Sequence, residues 1–244
     1  MKIYKIKYTI YIWLLLHRAL LFGMDIYSPT GGSLAYSRYP FFINENESMR
    51  YQQVYNSSDF DAIGGDGGNI TQIAFLYGEF AMTARGLSSL EINLSTTSKS
   101  PDHLSPVFEE NIGDDQTTVY GPGELLFVNA PGTDLIAITL EHPFYYNPFS
   151  GRNLLMEIKN ASGNPPSPDP PMFGSIGVNI FTEDTSSSIA ALNMYATTAD
   201  MITSDALVTH FTMIPIPEPG VGWILLGGLG TMGLGRLYRK RRAS

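Results

Sequence analysis

Hydrophobic and polar side chains alternate with a period of two in many short segments between residues 36 and 213. In residues 90–95, leucine and isoleucine alternate with glutamate, asparagine and serine, and residues 154–159 follow a similar pattern. Successive side chains of a β-strand point to opposite faces, so this alternation predicts strands that bury one face. No helical stripe of comparable length occurs in the same region.

Two other segments are apolar on both faces, as expected for strands in the middle of a sheet: residues 73–77 and 135–140. Further predicted strands are 50–55, 117–120, 124–128, 176–181 and 206–213. Glycine and proline clusters separate them, including Gly64-Gly65-Asp66-Gly67-Gly68 and Gly121-Pro122-Gly123, which predict turns. About nine or ten short strands at this spacing favour an all-β fold, an antiparallel, jelly-roll-like β-sandwich over residues 36–213.

The N-terminus has the layout of a secretory signal. Lys2, Lys5 and Lys7 precede an apolar run over residues 8–16, which predicts a signal helix. Small residues at Ser33 and Ala35 offer a candidate cleavage site, so residues 1–35 are predicted to form the signal peptide. An uncleaved N-terminal anchor is the alternative.

The C-terminal residues 214–244 combine three features in order. Pro217, Glu218 and Pro219 come first, and a predicted transmembrane helix over residues 221–238 follows. The apolar side chains expected to anchor it are Val221, Trp223, Leu225, Leu226, Leu229 and Leu234. A basic cluster closes the chain: Arg236, Arg239, Lys240, Arg241 and Arg242. Basic residues favour the cytoplasmic side, so the body is expected outside.

This tail resembles the PEP-CTERM sorting signal of exopolysaccharide-producing Gram-negative bacteria. The resemblance implies that an exosortase, an integral-membrane enzyme similar to a cysteine transpeptidase, recognises and processes the tail during export. The chain would be the substrate of that enzyme. The body is similar, more loosely, to the β-sandwich domains common among such exported proteins, which implies a surface location and no particular activity.

Charge and cysteine content exclude several functions. The chain carries 15 basic and 23 acidic residues, a net charge of −8. Four basic residues precede residue 19 and five follow residue 235, which leaves six in the body. Such an acidic body repels phosphate backbones, so no nucleic-acid partner is expected. The absence of cysteine rules out thiolate nucleophiles and disulfides.

No cofactor is expected, except that Asp59, Asp61, Asp66 and Asn69 could supply oxygen ligands to Ca²⁺. Solvated turn carboxylates are the alternative for this set and for Asp114-Asp115. The histidines His103, His142 and His210 lie far apart and match no metal-binding spacing; His210 falls on the expected solvent face of its strand. No residue is selected as catalytic.

The sequence therefore predicts an exported, non-enzymatic protein. It would be anchored transiently in the inner membrane and would then reach the cell surface or extracellular matrix. Its expected partners are the exosortase, the membrane before processing, and exopolysaccharide. The alternative is a lectin-like or glycan-processing domain, because the aromatic segment Phe144-Tyr145-Tyr146, followed by Asn147 and Phe149, could stack on sugar rings. Core packing and turn formation also explain those aromatic residues.

Overall fold

A computed structural model describes residues 23–29, 33–37, 39–41, 47–76, 85–127, 135–161, 173–177 and 185–216. Within these ranges the elements are thirteen strands and three short 3-10 helices, and every strand pair is antiparallel. The strands are β1 (Met24–Ser28), β2 (Ser33–Ser37), β3 (Met49–Tyr55), β4 (Gly68–Leu76), β5 (Arg85–Thr97), β6 (Thr117–Phe127), β7 (Leu135–Tyr146), β8 (Asn153–Asn160), β9 (Phe173–Gly177), β10 (Ser186–Ala191), β11 (Met201–Thr203), β12 (Ala206–Leu207) and β13 (Thr209–Pro215). The helices are η1 (Ser57–Ile63), η2 (Phe108–Asn111) and η3 (Pro148–Ser150). The predicted all-β class is confirmed.

The strands form two main sheets and one small sheet. The four-stranded sheet has the order β1-β13-β4-β7, and the six-stranded sheet has the order β11-β10-β3-β8-β5-β6. A three-stranded sheet, β12-β9-β2, completes the set. Ile73 and Phe211 from the four-stranded sheet share one buried cluster with Ile92 and Ile158 from the six-stranded sheet. The hydrophobic core therefore lies between the two main sheets, as in a sandwich.

A second layer covers the outer face of the six-stranded sheet. Val54, Leu155 and Ile189 point to this face and pack against Phe108 of η2. Asn93 also lies on this outer face and is only 3 % exposed. The prediction that polar positions of residues 90–95 face solvent is therefore wrong for Asn93 and Ser95. Asn93 donates a hydrogen bond to Glu157 and accepts one from Thr118, and these bonds replace water.

Two predicted elements differ in the structure. The segment 135–140 is part of β7, an edge strand whose outward residues Ala137 and Thr139 are exposed, although a central position was predicted. The motif Gly121-Pro122-Gly123 lies inside β6, although a turn was predicted. Shifts of register between β5 and β6 absorb the irregular backbone at this motif.

The sandwich begins upstream of the predicted boundary at residue 36. β1 pairs with β13, with Met24 opposite Met213, and β2 pairs with β9. Cleavage after Ala35 would cut β2 in its middle. The predicted signal helix, the proline-rich stretch 164–171 and the predicted transmembrane helix lie outside the described residues. Across the residues that are described, no helix is both long and apolar enough to cross a membrane.

Candidate functional site

The residues of the predicted sorting tail, from Pro217 onward, lie outside the described residues. The structure describes the point at which the chain leaves the body towards them. β13 ends at Pro215, and the backbone N–H of Ile216 donates a hydrogen bond of 3.0 Å to the carbonyl oxygen of Gly67. The tail therefore departs beside the turn between η1 and β4.

The four predicted calcium ligands lie in or near that same turn. Asp59 is partly buried and accepts a hydrogen bond from Ser28 Oγ, whereas Asp61 is exposed. Burial raises the pKa of the Asp59 carboxyl, and the charge of Asp61 adds to this effect. Within the described ranges, no group of three histidine, cysteine, aspartate or glutamate residues could hold a metal ion. Calcium binding by Asp59, Asp61, Asp66 and Asn69 stays a prediction.

His210 is buried, although its position in the strand pattern indicated a solvent-facing residue. Its ring stacks on that of Tyr27 with centroids 4.5 Å apart, and Nε2 lies 3.2 Å from Asp25 Oδ1. Tyr27 and Asp25 belong to β1, which the sequence reading assigned to the signal peptide. The predicted solvent exposure of His210 is wrong because the prediction did not include β1, whose side chains cover this histidine.

A cavity of about 380 Å³ opens at the end of the sandwich where loops from both main sheets meet. We call it the loop-end cavity. Its lining residues come from the ends of β5 and β7, the turn before β6, η3 and the start of β8: Thr96, Asp114, Asp115, Tyr145, Asn147, Ser150 and Arg152. It combines an aromatic ring, an amide, hydroxyls and charges of both signs.

The aromatic side of the loop-end cavity is held in place by hydrogen bonds. Tyr145 is 48 % exposed, and its hydroxyl donates a 2.9 Å hydrogen bond to the carbonyl oxygen of Asp66. The side chain of Asn147 caps η3 by accepting a 2.9 Å hydrogen bond from the backbone N–H of Phe149. Its amide group also donates a 3.2 Å hydrogen bond to the carbonyl oxygen of Gly65. These hydrogen bonds hold both side chains in place.

The charged residues of the loop-end cavity differ in how they are bound. Asp115 Oδ1 accepts hydrogen bonds from the backbone N–H and Oγ1 of Thr96, at 2.8 and 3.1 Å. Asp114 and Arg152 are exposed, and within the described part of the chain neither side chain has a hydrogen bond or an ion pair. A carboxylate acceptor and a guanidinium donor are thus open to a ligand.

A second cavity, of about 320 Å³, lies where the inner face of the six-stranded sheet meets the small sheet. Tyr39, Tyr51, Met201 and Leu207 contribute to its lining. Burial raises the pKa of Tyr51, whose hydroxyl donates a 2.6 Å hydrogen bond to Gln53 Oε1. Ser37, Ser188, Thr203 and Asp205 also line this cavity, but the hydroxyls of Tyr51 and Ser188 already donate hydrogen bonds within the protein.

A network of buried charges lies beneath the second layer in the described part of the chain. Arg50 Nε donates to Glu157 Oε1 at 2.8 Å, and Arg50 Nη2 donates to Glu109 Oε1 at 2.7 Å. Gln52 Nε2 and Asn93 Nδ2 also donate to Glu157, at 3.0 and 3.3 Å. Burial alone would lower the pKa of Arg50, but the hydrogen bond that Arg50 donates to Glu109 and the charge of Glu157 outweigh it and raise that pKa. Because Arg50 is paired with both Glu109 and Glu157, the network stabilises the fold and leaves no buried charge for a ligand.

The structure divides the aromatic segment that the sequence singled out. Phe144 and Tyr146 point into the core, whereas Tyr145 and Phe149 are exposed. Alternation along β7 could have predicted this division. Sequence reasoning missed Thr96, Ser150 and Arg152, because loops from separate elements bring them to the cavity and no local spacing connects them.

Comparisons of the chain with protein-family models, with curated proteins and with solved structures give no significant match.

Proposed function

We propose that the chain is an exported, non-enzymatic surface or matrix protein of a Gram-negative bacterium, sorted by an exosortase. The observation that carries the proposal is the C-terminal order of Pro217-Glu218-Pro219, an apolar segment and a cluster of basic residues. In this proposal a signal helix directs export, and a transmembrane helix over residues 221–238 holds the chain until the tail is processed. The body is a jelly-roll-like sandwich.

The position of the body's two ends supports this arrangement. Met24 at the start of β1 lies opposite Met213 near the end of β13. The segments predicted to contact the membrane therefore leave from the same end of the four-stranded sheet. A body joined in this way can stand on the membrane while its opposite end faces away from the cell.

A lectin-like role is the second candidate, and the loop-end cavity favours it. Glycan processing has less support, because hydrolysis of a glycosidic bond requires two carboxyl groups facing each other across the substrate. Asp114 and Asp115, the carboxylates of the cavity, are sequence neighbours in one turn, and Asp115 is bound to Thr96.

Mass spectrometry of the exported protein tests the sorting proposal. We expect a mature chain that lacks the residues after the Pro217-Glu218-Pro219 motif, and an uncleaved chain in cells without the exosortase. Replacing Pro217 and Pro219 by alanine should also prevent processing, whereas Pro106→Ala, a change at an exposed proline of the body, should not. Exported protein that still ends at Ser244 would contradict the proposal.

A further inference from the structure

The loop-end cavity brings together the groups that recognise an uncharged sugar. Tyr145 offers the face of a ring, while Asp114 and Arg152 offer an acceptor and several donors. We propose that this cavity binds one neutral sugar unit of an extracellular polysaccharide, with the ring stacked on Tyr145. The proposal rests on the proposed function, because it requires the body to be exported, and it names the ligand class that the body would meet.

The dimensions of the cavity suit such a ligand. Its volume of about 380 Å³ is at the lower end of the range for small-molecule sites, about 300–1,000 Å³. A single sugar ring with part of its neighbour fits a space of this size. The cavity is open at the end of the sandwich from which the tail leaves, because Tyr145 and Ile216 both bond to the turn between η1 and β4. In the proposed function, a polymer reaches it once processing has released this end from the membrane.

The charges of the cavity favour a neutral sugar over an acidic one. The carboxylate of Asp114 can accept hydrogen bonds from sugar hydroxyls, and the guanidinium of Arg152 can donate to their oxygens. Two carboxylates, Asp114 and Asp115, and one cation, Arg152, line the cavity, so the carboxylate of a uronic acid would meet a net negative charge. The acidic body adds long-range repulsion of polyanions.

A hydrogen bond within the protein holds the side chain of Tyr145 in place, which lowers the entropic cost of binding. The hydroxyl of Tyr145 is bonded to Asp66, so its ring cannot rotate freely. Phe149 lies beside the cavity in η3 and is 55 % exposed. Its exposed ring provides a surface for the next sugar along the polymer.

Isothermal titration calorimetry on the full-length chain tests the proposal, in a detergent without a sugar head group. The probes are neutral gluco-, manno- and galacto-oligosaccharides, with alginate oligomers as the acidic comparison. We expect at least one neutral series to bind, and Tyr145→Ala to weaken that binding by about tenfold. Tyr145→Phe keeps the ring and should stay within about threefold of the original affinity.

Tyr195→Ala is the matched control, because Tyr195 is 80 % exposed and does not line the cavity. Arg152→Gln provides a second test that leaves the core untouched and should weaken binding. The proposal is overturned if no neutral oligosaccharide binds, if alginate binds in preference, or if Tyr145→Ala and Arg152→Gln both leave the affinity unchanged. Processing of the tail is measured separately by mass, so a failure of sugar binding is distinguishable from a failure of the sorting proposal.

Discussion

At the scale of single residues, Glu157 shows how a buried charge is accommodated between the sheet and its second layer. Its carboxylate is 1 % exposed and accepts hydrogen bonds from Arg50, Gln52, Asn93 and Gln116. Burying a charge is costly unless such partners replace water. The change Glu157→Gln removes the negative charge beside Arg50. It also introduces an amide N–H₂ group that faces the N–H donors which bond to Glu157 in the original chain.

We expect Glu157→Gln to lower the free energy of unfolding by about 3 kcal/mol in urea denaturation, because it breaks a buried ion pair. Glu91→Gln is the matched control at the half-exposed edge of the same network, where Glu91 lies 3.3 Å from Lys159. It should cost less than about 1 kcal/mol. Equal losses for the two variants would show that burial does not set the strength of these pairs.

Asp59 supplies a prediction about pH. Burial raises the pKa of its carboxyl above the ordinary value of 3.8, so the folded state binds the proton more tightly than the unfolded state. Its stabilising contribution is therefore present below pH 3.8 and is lost as the pH rises through the raised folded pKa. Asp59→Asn removes this titration. The stability of the variant relative to the original chain should increase over that window, measured by urea unfolding at a series of pH values; a constant difference would contradict the assignment.

At the scale of elements, two glycines with similar backbone angles differ in the space around them. Gly121 in β6 has φ 72°, and a Cβ there would lie 2.1 Å from the carbonyl oxygen of Leu90. Gly151 after η3 has φ 78° and no atom within 4 Å of such a Cβ. Both alanine variants have the left-handed backbone cost, about 1–2 kcal/mol, but only Gly121→Ala must also displace a neighbouring strand.

We therefore expect Gly151→Ala to reduce the free energy of unfolding by about 1 kcal/mol, and Gly121→Ala to reduce it by at least about 2 kcal/mol more. Thermal and urea unfolding of the two variants would measure the difference. Equal losses of unfolding free energy would contradict the prediction, because they would show that β5 and β6 can separate at Leu90 without a measurable cost.

The same elements show what the sequence could and could not predict. Period-two alternation predicted β5 and β8, because one face of each strand belongs to the apolar core. It failed for β10, a serine-rich strand that is buried throughout, since small polar side chains resemble a loop in the sequence. The loop-end cavity was visible only in part: Tyr145 stood out as an aromatic, whereas Arg152 is brought to it by the fold.

At the scale of the whole molecule, β1 extends the described body upstream of the predicted boundary at residue 36. β1 places Ile26 in the core, covers His210 and connects Ser28 to Asp59. The sequence reading assigned these residues to a signal peptide because apolar residues and a small-residue site continue to position 35. Side-chain patterns within so short a strand do not reveal a partner as distant in the chain as β13.

We expect the mature N-terminus to lie at or before Met24. Removal of β1 would leave β13 as an unpaired edge strand and would expose the core side chains that Ile26 covers. N-terminal sequencing of the exported protein measures this directly. A chain starting at Gly23 should retain cooperative unfolding, whereas one starting at Tyr36 should lose about 3 kcal/mol or more, since it forfeits five paired residues and a buried isoleucine. Exported protein that begins at Tyr36 and unfolds at the same urea concentration as the chain starting at Gly23 would contradict this prediction. β1 would then be dispensable, and the body would begin in the second half of β2.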